Sequence, residues 1–217
     1  MLLKGFFRVK SALSLRNYIA FERNTAGTYT WTVPETRHYT IDIVGGGAGG
    51  GAIYRQLKTD HNVYARWAFG GGSSGHSTFG PFKLTKGTVI TIVVGAGGNG
   101  LNTTLYYNAA VGTYGGGNGG SSTVTIGADV YSCDGAEAGY LRVREGNLTD
   151  TYRLGQGGAG NVTNGNNGQG IINATNQVAQ GGESVFNNAG GGGDAKQSTQ
   201  GIYANNGVPG YVGIKVV

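Results

Sequence analysis

Long glycine runs that begin directly behind β-strand patterns restrict this chain more than any other feature. Residues 39–44 (YTIDIV) alternate like a strand and continue into GGGAGGG at 45–51, and residues 88–94 (TVITIVV) continue into GAGGNG at 95–100. Ordered glycine is costly because it loses more conformational entropy on folding than any other residue. Flexible linkers seldom follow an apolar strand so directly. We therefore expect extended polyproline-II segments whose backbones pack against one another, as glycine permits in collagen.

Both runs also match G-x-G-x-x-G, the phosphate-binding pattern of dinucleotide-binding folds. Such a site needs a helix that starts at the glycines, a second parallel strand and an acidic residue roughly 20 residues further on. Residues 52–60 allow two helical turns at most, no apolar strand follows them, and residues 101–104 lead into more irregular sequence. We predict neither a nucleotide site nor any other cofactor.

Composition excludes several other classes of function. Of the 217 residues 45 are glycine and 12% are charged, against roughly 25% charged in average proteins, so we expect a polar, uncharged surface and a thin core. Six basic and two acidic residues within 1–40 give +4 of the net charge of +5. The remaining body has no basic stripe for nucleic acid. No window of about 18 apolar residues predicts insertion into a membrane.

Residues suited to catalysis or metal binding are sparse. The three histidines lie far apart in sequence, and none adjoins a serine or cysteine nucleophile motif. Cys133 is the single cysteine, which excludes an intrachain disulfide framework and zinc-ligand spacing. Asp129, Asp134 and Glu137 come closest to a cation cluster, although a solvated turn explains them better. The sequence predicts no catalytic and no metal site, and a protein that is not an enzyme.

Alternating or apolar runs bounded by turn residues predict β-strands, and no stretch after residue 24 has a helical pattern. The predicted strands are 27–33, 38–44, 88–94, 122–133 with a kink at Gly127, 140–144 and 211–217. We expect a hairpin between the first two strands. Residues 53–69 and 101–114, which are rich in large side chains, are interpreted as loops.

These patterns together predict an all-β or irregular fold. A sandwich-like β-strand scaffold would carry a glycine-rich, partly polyproline-II bundle, with almost no helix beyond a possible short one at the N-terminus. Two units are expected, an N-terminal attachment segment at 1–26 and a glycine-rich β domain at 27–217.

The N-terminal segment is basic, apolar and nearly free of glycine. Its apolar residues fit a helix face only loosely, so a short helix and an extended arm are both open. The segment either packs onto the body or a neighbouring copy, or anchors the protein in a larger assembly, and these roles are compatible. The residues predicted to make the attachment are Leu3, Phe6, Phe7, Arg8 and Leu13.

Five blocks in this order resemble the glycine-rich domain of bacteriophage tail-fibre, tail-tip and related virion proteins. They are YTWTVP at 29–34, YTIDIVGGGAGG at 39–50, VITIVVGAGG at 89–98, GGSST at 119–123 and GYVGIK at 210–215. The resemblance implies a β scaffold with a polyproline-II bundle at the distal end of a virion appendage. It also implies exposed loops that contact a bacterial receptor and, by analogy with phage appendages, a homotrimer.

The function expected from these features is that of a non-enzymatic phage virion protein. A tail-fibre, tail-tip or other appendage component would be made in the host cytoplasm and reside in the virion. It would bind other virion proteins through residues 1–26 and a bacterial surface glycan or protein through its loops. The aromatic residues expected to contact the receptor, for which ordinary packing is the alternative role, are Tyr54, Tyr64, Trp67, Tyr106, Tyr107 and Tyr114.

Two alternatives stay open at this point. One is a purely architectural capsid or tail decoration, or a fibre subunit, without a receptor. The other is a depolymerase, which would need paired carboxylates in a groove and is disfavoured by the scarcity of acidic residues.

Overall fold

The regular structure of the described part of the chain consists of β-strands. The computed structural model describes residues 18–56, 63–106, 112–143, 151–172, 177–198 and 201–217, and within them no residue is helical. The strands are β1 (Ile19–Arg23), β2 (Gly27–Thr32), β3 (Arg37–Val44), β4 (Gly51–Gln56), β5 (Val63–Phe69), β6 (His76–Leu84), β7 (Val89–Val94), β8 (Leu101–Tyr106), β9 (Gly112–Gly115), β10 (Ser122–Ile126), β11 (Asp129–Cys133), β12 (Tyr140–Val143), β13 (Thr151–Arg153), β14 (Gly170–Ile172), β15 (Gln177–Ala179), β16 (Ala195–Ser198), β17 (Gly201–Ala204) and β18 (Tyr211–Val216).

Two four-stranded antiparallel sheets form a β-sandwich at one end of the molecule. Their strand orders are β1-β18-β3-β6 and β11-β10-β7-β2. Strand β3 turns Ile41 and Ile43 inward, and β7 turns Ile90 and Ile92 toward them, so that all four side chains are buried in one core. The alternation of apolar and polar residues along each strand produces this inward face. The predicted all-β, sandwich-like scaffold is confirmed.

Two local predictions within the sandwich are wrong. Strands β2 and β3 do not form a hairpin, because β2 pairs with β7 whereas β3 pairs with β18 and β6. The chain crosses from one sheet to the other around Pro34. Residues 122–133 are not one kinked strand, since β10 turns back on β11 at Gly127, whose φ of +62° is the left-handed conformation that glycine tolerates.

Ten glycine-rich segments connect the sandwich to the opposite end within the described chain. In chain order they are g1 (45–50), g2 (70–75), g3 (95–100), g4 (116–121), g5 (134–139), g6 (155–160), g7 (164–169), g8 (180–184), g9 (190–194) and g10 (205–210). Odd-numbered segments run away from the sandwich and even-numbered segments return to it, because each leaves a strand or turn at one end and enters one at the other.

Segment g1 donates its hydrogen bonds in a threefold order. The N–H groups of Gly46 and Gly49 donate to g4, and those of Gly47 and Gly50 donate to g10. The N–H group of Ala48 donates to g2. Partners thus recur every third residue, at N···O distances of 2.8–3.0 Å. A helix with three residues per turn and no internal hydrogen bonds is polyproline II, which confirms the predicted bundle.

Segments g1 and g2 are central, and the other eight form a ring around them. The carbonyl groups of g1 accept hydrogen bonds from g3, g5 and g9, so g1 has six hydrogen-bonded neighbours. Segment g2 also has six, namely g1, g5, g6, g7, g8 and g9. The ring segments bond to one another in sequence order from g3 to g10, and g10 closes the circle on g3. The two central segments therefore come first in the sequence, and the eight segments that follow surround them.

Residue type follows this arrangement. The central segments contain only glycine, alanine and serine. A Cβ added to Gly47 would overlap the carbonyl oxygen of Gly191, and one added to Gly71 would overlap that of Ala48. On the ring, exposed residues recur at every third position, as with Ala96 and Asn99 on g3, Asn118 and Ser121 on g4, and Gln180 and Glu183 on g8. At most positions of the ring, only the outward face of a segment has room for a side chain.

Asparagine side chains complete the hydrogen bonding of the ring. Outer N–H groups lack a neighbouring segment, and a buried N–H group without a partner is costly. Side-chain oxygens accept from several of them, namely Asn118 from Ala138, Asn164 from Gly160, Asn167 from Gly157, Asn206 from Gly100 and Asp194 from Gly181. These bonds give a structural reason for the abundance of asparagine in the second half of the chain.

The first prediction concerns the central segment. We expect Gly47→Ala to lower the free energy of unfolding by at least about 3 kcal/mol, because the added methyl group meets backbone that cannot rotate away. The measurement is urea unfolding followed by tryptophan fluorescence.

Gly191→Ala is the matched control in the same bundle. The nearest atom to its added Cβ would be Cγ2 of Val208 at 3.6 Å, an ordinary contact. We expect this variant to stay within about 1 kcal/mol of the wild type. Equal stability of the two variants would contradict the packing described for g1.

The second prediction concerns the asparagine caps. Asn118→Ala leaves the buried N–H group of Ala138 without its 2.9 Å acceptor, so we expect a loss of about 1–3 kcal/mol in thermal or urea unfolding. The side chain of Asn205 is exposed and makes no hydrogen bond to the described residues. Asn205→Ala should change stability by less than about 0.5 kcal/mol; a comparable loss in both variants would refute the capping role.

Candidate functional site at the hairpin end

Three small sheets form the end of the molecule opposite the sandwich, here called the hairpin end. They have the orders β14-β5-β4-β8, β13-β12-β9 and β15-β16-β17, with β4 and β8 parallel and all other pairs antiparallel. Residues 53–69 and 101–114 were predicted as loops, and this prediction is wrong because they contain strands β4, β5, β8 and β9. One face of β4 and β5 carries alanine, which is depleted in strands. The sequence therefore showed no clear alternation of apolar and polar residues there.

The sheet β14-β5-β4-β8 is the middle layer of the hairpin end. One face carries Ile53, Trp67 and Phe69, which pack in a core with Leu141 of the second sheet. The other face carries alanines of β4 and β5, which pack against alanines of the third sheet. Large side chains therefore fill the interface between the middle sheet and the second sheet. Methyl groups fill the interface between the middle sheet and the third sheet.

The structure places the predicted contact residues in different environments. Tyr54 is half-buried, with the guanidinium of Arg66 located 5.4 Å from its ring centre. Tyr114 is also half-buried and packs against the core that contains Trp67. The exposed fraction of Trp67 is only 7%. Trp67 therefore packs in the core, which is the alternative role considered from the sequence, and is not part of a contact surface.

The remaining predicted residues are only partly covered by the structure. Tyr64 lies on β5 and Tyr106 at the end of β8, with only their backbone described. Tyr107 lies outside the described residues. The predicted attachment residues Leu3, Phe6, Phe7, Arg8 and Leu13 also lie outside them.

Sequence reasoning missed several exposed apolar side chains at the hairpin end. They are Tyr152 of β13, Ile172 of β14 and Tyr203 of β17, with exposed fractions of 49%, 42% and 42%. Their strands are three or four residues long, which is too short for a periodicity to stand out. The only available signal was a large apolar residue between glycine runs.

Charge is distributed unevenly along the long axis. The described strands of the hairpin end contain no acidic residue, and their basic residues are Arg55, Arg66, Arg142, Arg153 and Lys196. The bundle segments contain acidic residues and no basic ones, namely Asp134, Glu137, Glu183 and Asp194. The described strands of the hairpin end therefore carry an excess of positive charge, which Glu137 reduces at Arg153 and which would attract acidic groups.

A polar cluster on the outer face of the sandwich is the other candidate for chemistry. Oδ1 of Asp42 accepts a hydrogen bond from Oγ1 of Thr78 at 2.6 Å and lies 3.1 Å from Nε2 of His76. Oδ2 of Asp42 lies 2.6 Å from Nζ of Lys215. The ring of Phe186 stacks on His76 with the centroids 3.9 Å apart.

The groups of this cluster contact one another, and these contacts point to a structural role. Because a carboxylate can only accept, Nε2 of His76 must carry the proton that faces Asp42. The Thr78 hydroxyl donates to the same carboxylate, and Phe186 covers the imidazole. Burial opposes ionisation of Asp42, yet hydrogen bonds from Lys215, Thr78 and His76 outweigh it and hold the pKa of the carboxyl below its ordinary value.

The described chain offers no metal site and no membrane-spanning helix. Within the described ranges, no group of three or more histidine, cysteine or acidic side chains is placed to hold a metal ion. Cys133 is a buried free thiol. None of the described residues belongs to a helix that is long and apolar enough to cross a membrane.

Comparison with known protein families gives a match over most of the chain. A family model described as a glycine-rich domain matches residues 24–216, which include nearly the whole sandwich, all ten bundle segments and the hairpin end. No curated protein matches the chain significantly.

The third prediction follows from the Asp42 cluster. The folded-state pKa of Asp42 lies below the unfolded value of about 3.9. The stability that its ionised form contributes is therefore complete above that value and is lost as the pH falls through the folded-state pKa. We expect Asp42→Asn to cost about 2–3 kcal/mol at pH 7, and the difference from the wild type to shrink progressively below pH 4, as measured by urea unfolding.

Glu35→Gln is the control for this experiment. Glu35 pairs with Arg37 at 3.0 Å on the surface, where both side chains are substantially exposed. We expect a change of less than about 1 kcal/mol at pH 7. A deficit of Asp42→Asn that stays constant from pH 7 to pH 3 would show that ionisation of Asp42 contributes nothing.

Proposed function

The chain belongs to the family of glycine-rich domains, and from the resemblance of its sequence blocks to phage virion proteins we propose that it is a non-enzymatic structural protein of a phage virion. It is a tail-fibre, tail-tip or other appendage component that presents its hairpin end to the bacterial surface. The observation that carries this proposal is the alternating course of the ten bundle segments. They place all the described strands outside the sandwich at one end of a stiff bundle.

The position of the N-terminal segment supports this polarity. Strand β1 pairs with β18 so that Ile19 lies opposite Lys215 and Arg23 opposite Val212. Because β18 starts at the bundle and runs away from it, Tyr18 lies at the outer pole of the sandwich. Residues 1–17 are joined to the chain there, at the pole opposite the hairpin end. An attachment through residues 1–26 to other virion proteins would therefore leave the hairpin end facing outward.

Surface composition supports two kinds of contact. At the sandwich end, exposed apolar side chains suit protein contacts, including a homo-oligomer such as a trimer; they are Ile19, Val89 and Val130. At the hairpin end, Tyr54, Tyr114, Tyr152 and Tyr203 are at least partly exposed. Tyrosine combines an apolar ring with a polar hydroxyl and suits contacts with a glycan or a protein. The receptor contacts of this proposal are hairpin strands, in place of the loops expected from the sequence.

The fourth prediction tests which end binds the host. Tyr203 at the hairpin end and Tyr18 at the sandwich pole have nearly equal exposed fractions of 42% and 43%. We expect the full chain, labelled with a fluorophore, to bind cells of some strains in a panel of bacteria. Tyr203→Ala should weaken this binding by about tenfold, or about 1.4 kcal/mol, while Tyr18→Ala leaves it within twofold. The measurement is flow cytometry over a concentration series.

Two results would overturn the proposal. Loss of cell binding in Tyr18→Ala but not in Tyr203→Ala would place the receptor contact at the sandwich. Absence of binding to every strain, together with stoichiometric incorporation into purified particles, would favour the architectural alternative without a receptor.

A further inference from the structure

The sheet β13-β12-β9 has one face in the core and one face directed away from it. Its register aligns Tyr114, Leu141 and Tyr152 in one row, and Leu141 is fully buried. The next rows on either side point the opposite way, because successive residues of a strand face opposite sides. This outward side is called the arginine face below.

Two cross-strand rows make up the arginine face. Thr113, Arg142 and Thr151 form the first row, and all three side chains are exposed. Gly115, Tyr140 and Arg153 form the second row. The side chains of the first row are exposed, and in the second row Arg153 is exposed and Tyr140 is half-buried. The rows are thus open among the described residues.

Glycine at position 115 gives Tyr140 its place on this face. A Cβ on Gly115 would lie 2.8 Å from Cβ of Tyr140. With hydrogen in that position, the tyrosine ring has no side chain beside it on the β9 side. An aromatic ring that is open along one edge and half-buried, as Tyr140 is, offers a rigid apolar platform at little entropic cost.

Arg142 is the cation of this face that has no charged partner among the described residues. Arg153 pairs with Glu137 at 2.9 Å, whereas no acidic side chain of the described residues reaches Arg142. Its planar guanidinium can donate two parallel hydrogen bonds to one carboxylate. The hydroxyl groups of Thr113 and Thr151 stand on both sides of it and can donate or accept.

We propose that the arginine face binds a polysaccharide whose sugars carry carboxylate groups. One sugar ring packs on Tyr140, and its carboxylate, or that of the next sugar, is held by Arg142, about 6.8 Å further along β12. The threonines flanking Arg142 bond to sugar hydroxyls. The guanidinium of Arg142, which pairs with no acidic side chain in the described ranges, matches a single carboxylate charge, and the basic strands of the hairpin end attract the polymer. The inference rests on the proposed function and specifies the ligand class for one of its surfaces.

The fifth prediction tests this ligand class on the full chain with defined polymers. The probe is polygalacturonate of fixed length, and the matched neutral probe is its methyl ester, which has the same sugars without the charge. We expect the acid form to bind and the ester to bind at least tenfold more weakly by isothermal titration. Binding of the acid form should weaken as salt is raised from 50 to 300 mM, because exposed charges are screened.

Variants assign the binding to the arginine face. Arg142→Gln should raise the Kd for polygalacturonate at least tenfold, and Arg142→Lys should restore only part of the affinity, because lysine lacks the planar fork. Lys86→Gln removes the same charge from an exposed turn of the sandwich and should leave the Kd within twofold. Arg142 and Lys86 are both exposed, so all three variants should unfold within about 2 °C of the wild type.

Each other outcome counts against the inference. Equal weakening by Arg142→Gln and Lys86→Gln would show a general charge effect. Preference for a glycerol-phosphate polymer over polygalacturonate would identify the wrong anion. If Arg142→Gln binds bacterial cells normally while Tyr203→Ala does not, the inference fails and the proposed function stands. If neither change affects cell binding, both fail.

Discussion

Hydrogen bonds between glycine backbones are the interaction on which this molecule depends. In a sheet each strand bonds to two neighbours in one plane, but each central segment here bonds to six neighbours around its axis. This is possible because three residues per turn point N–H and C=O groups in all directions. The requirement is that no Cβ stands between the backbones, which makes glycine runs a condition of the fold. The entropy lost by ordering glycine is offset by a dense set of backbone hydrogen bonds.

The two side-chain cores at the ends of the bundle have a complementary role. The sandwich buries a continuous apolar core of β-branched and aromatic residues, and the hairpin end buries a smaller one around Trp67 and Phe69. Both cores fix the strand ends, and so they set the spacing and direction of the segments between them. A bundle of this kind, whose central segments carry nothing larger than serine, has little hydrophobic driving force of its own. Its order therefore relies on the strands that precede and follow each segment.

The sequence was most informative where a pattern has a single physical explanation. Apolar alternation at 39–44 and 211–217 predicted strands β3 and β18, and the glycine run behind the former predicted backbone packing. The pairing of β2 could not be predicted, because alternation defines faces and not partners. The arrangement of the bundle was also out of reach, since a glycine run has no side-chain pattern that names its neighbours.

The candidate site was harder to predict than the fold for a related reason. Large aromatic residues between glycine runs indicated where side chains cluster, but not whether they face the core or solvent. Trp67 packs inward whereas Tyr203 lies at the surface, although both are followed by alanine in their strands. Arg142 and Tyr140 alternate with buried Leu141 and Val143, a pattern visible in sequence only once the strand bounds are known.

Six residues at about 3.1 Å each make the bundle roughly 19 Å long. A spacer of that length, fixed at both ends by packed sheets, holds the sandwich and the hairpin end apart. The surface at the hairpin end therefore depends on which residues its strands turn outward.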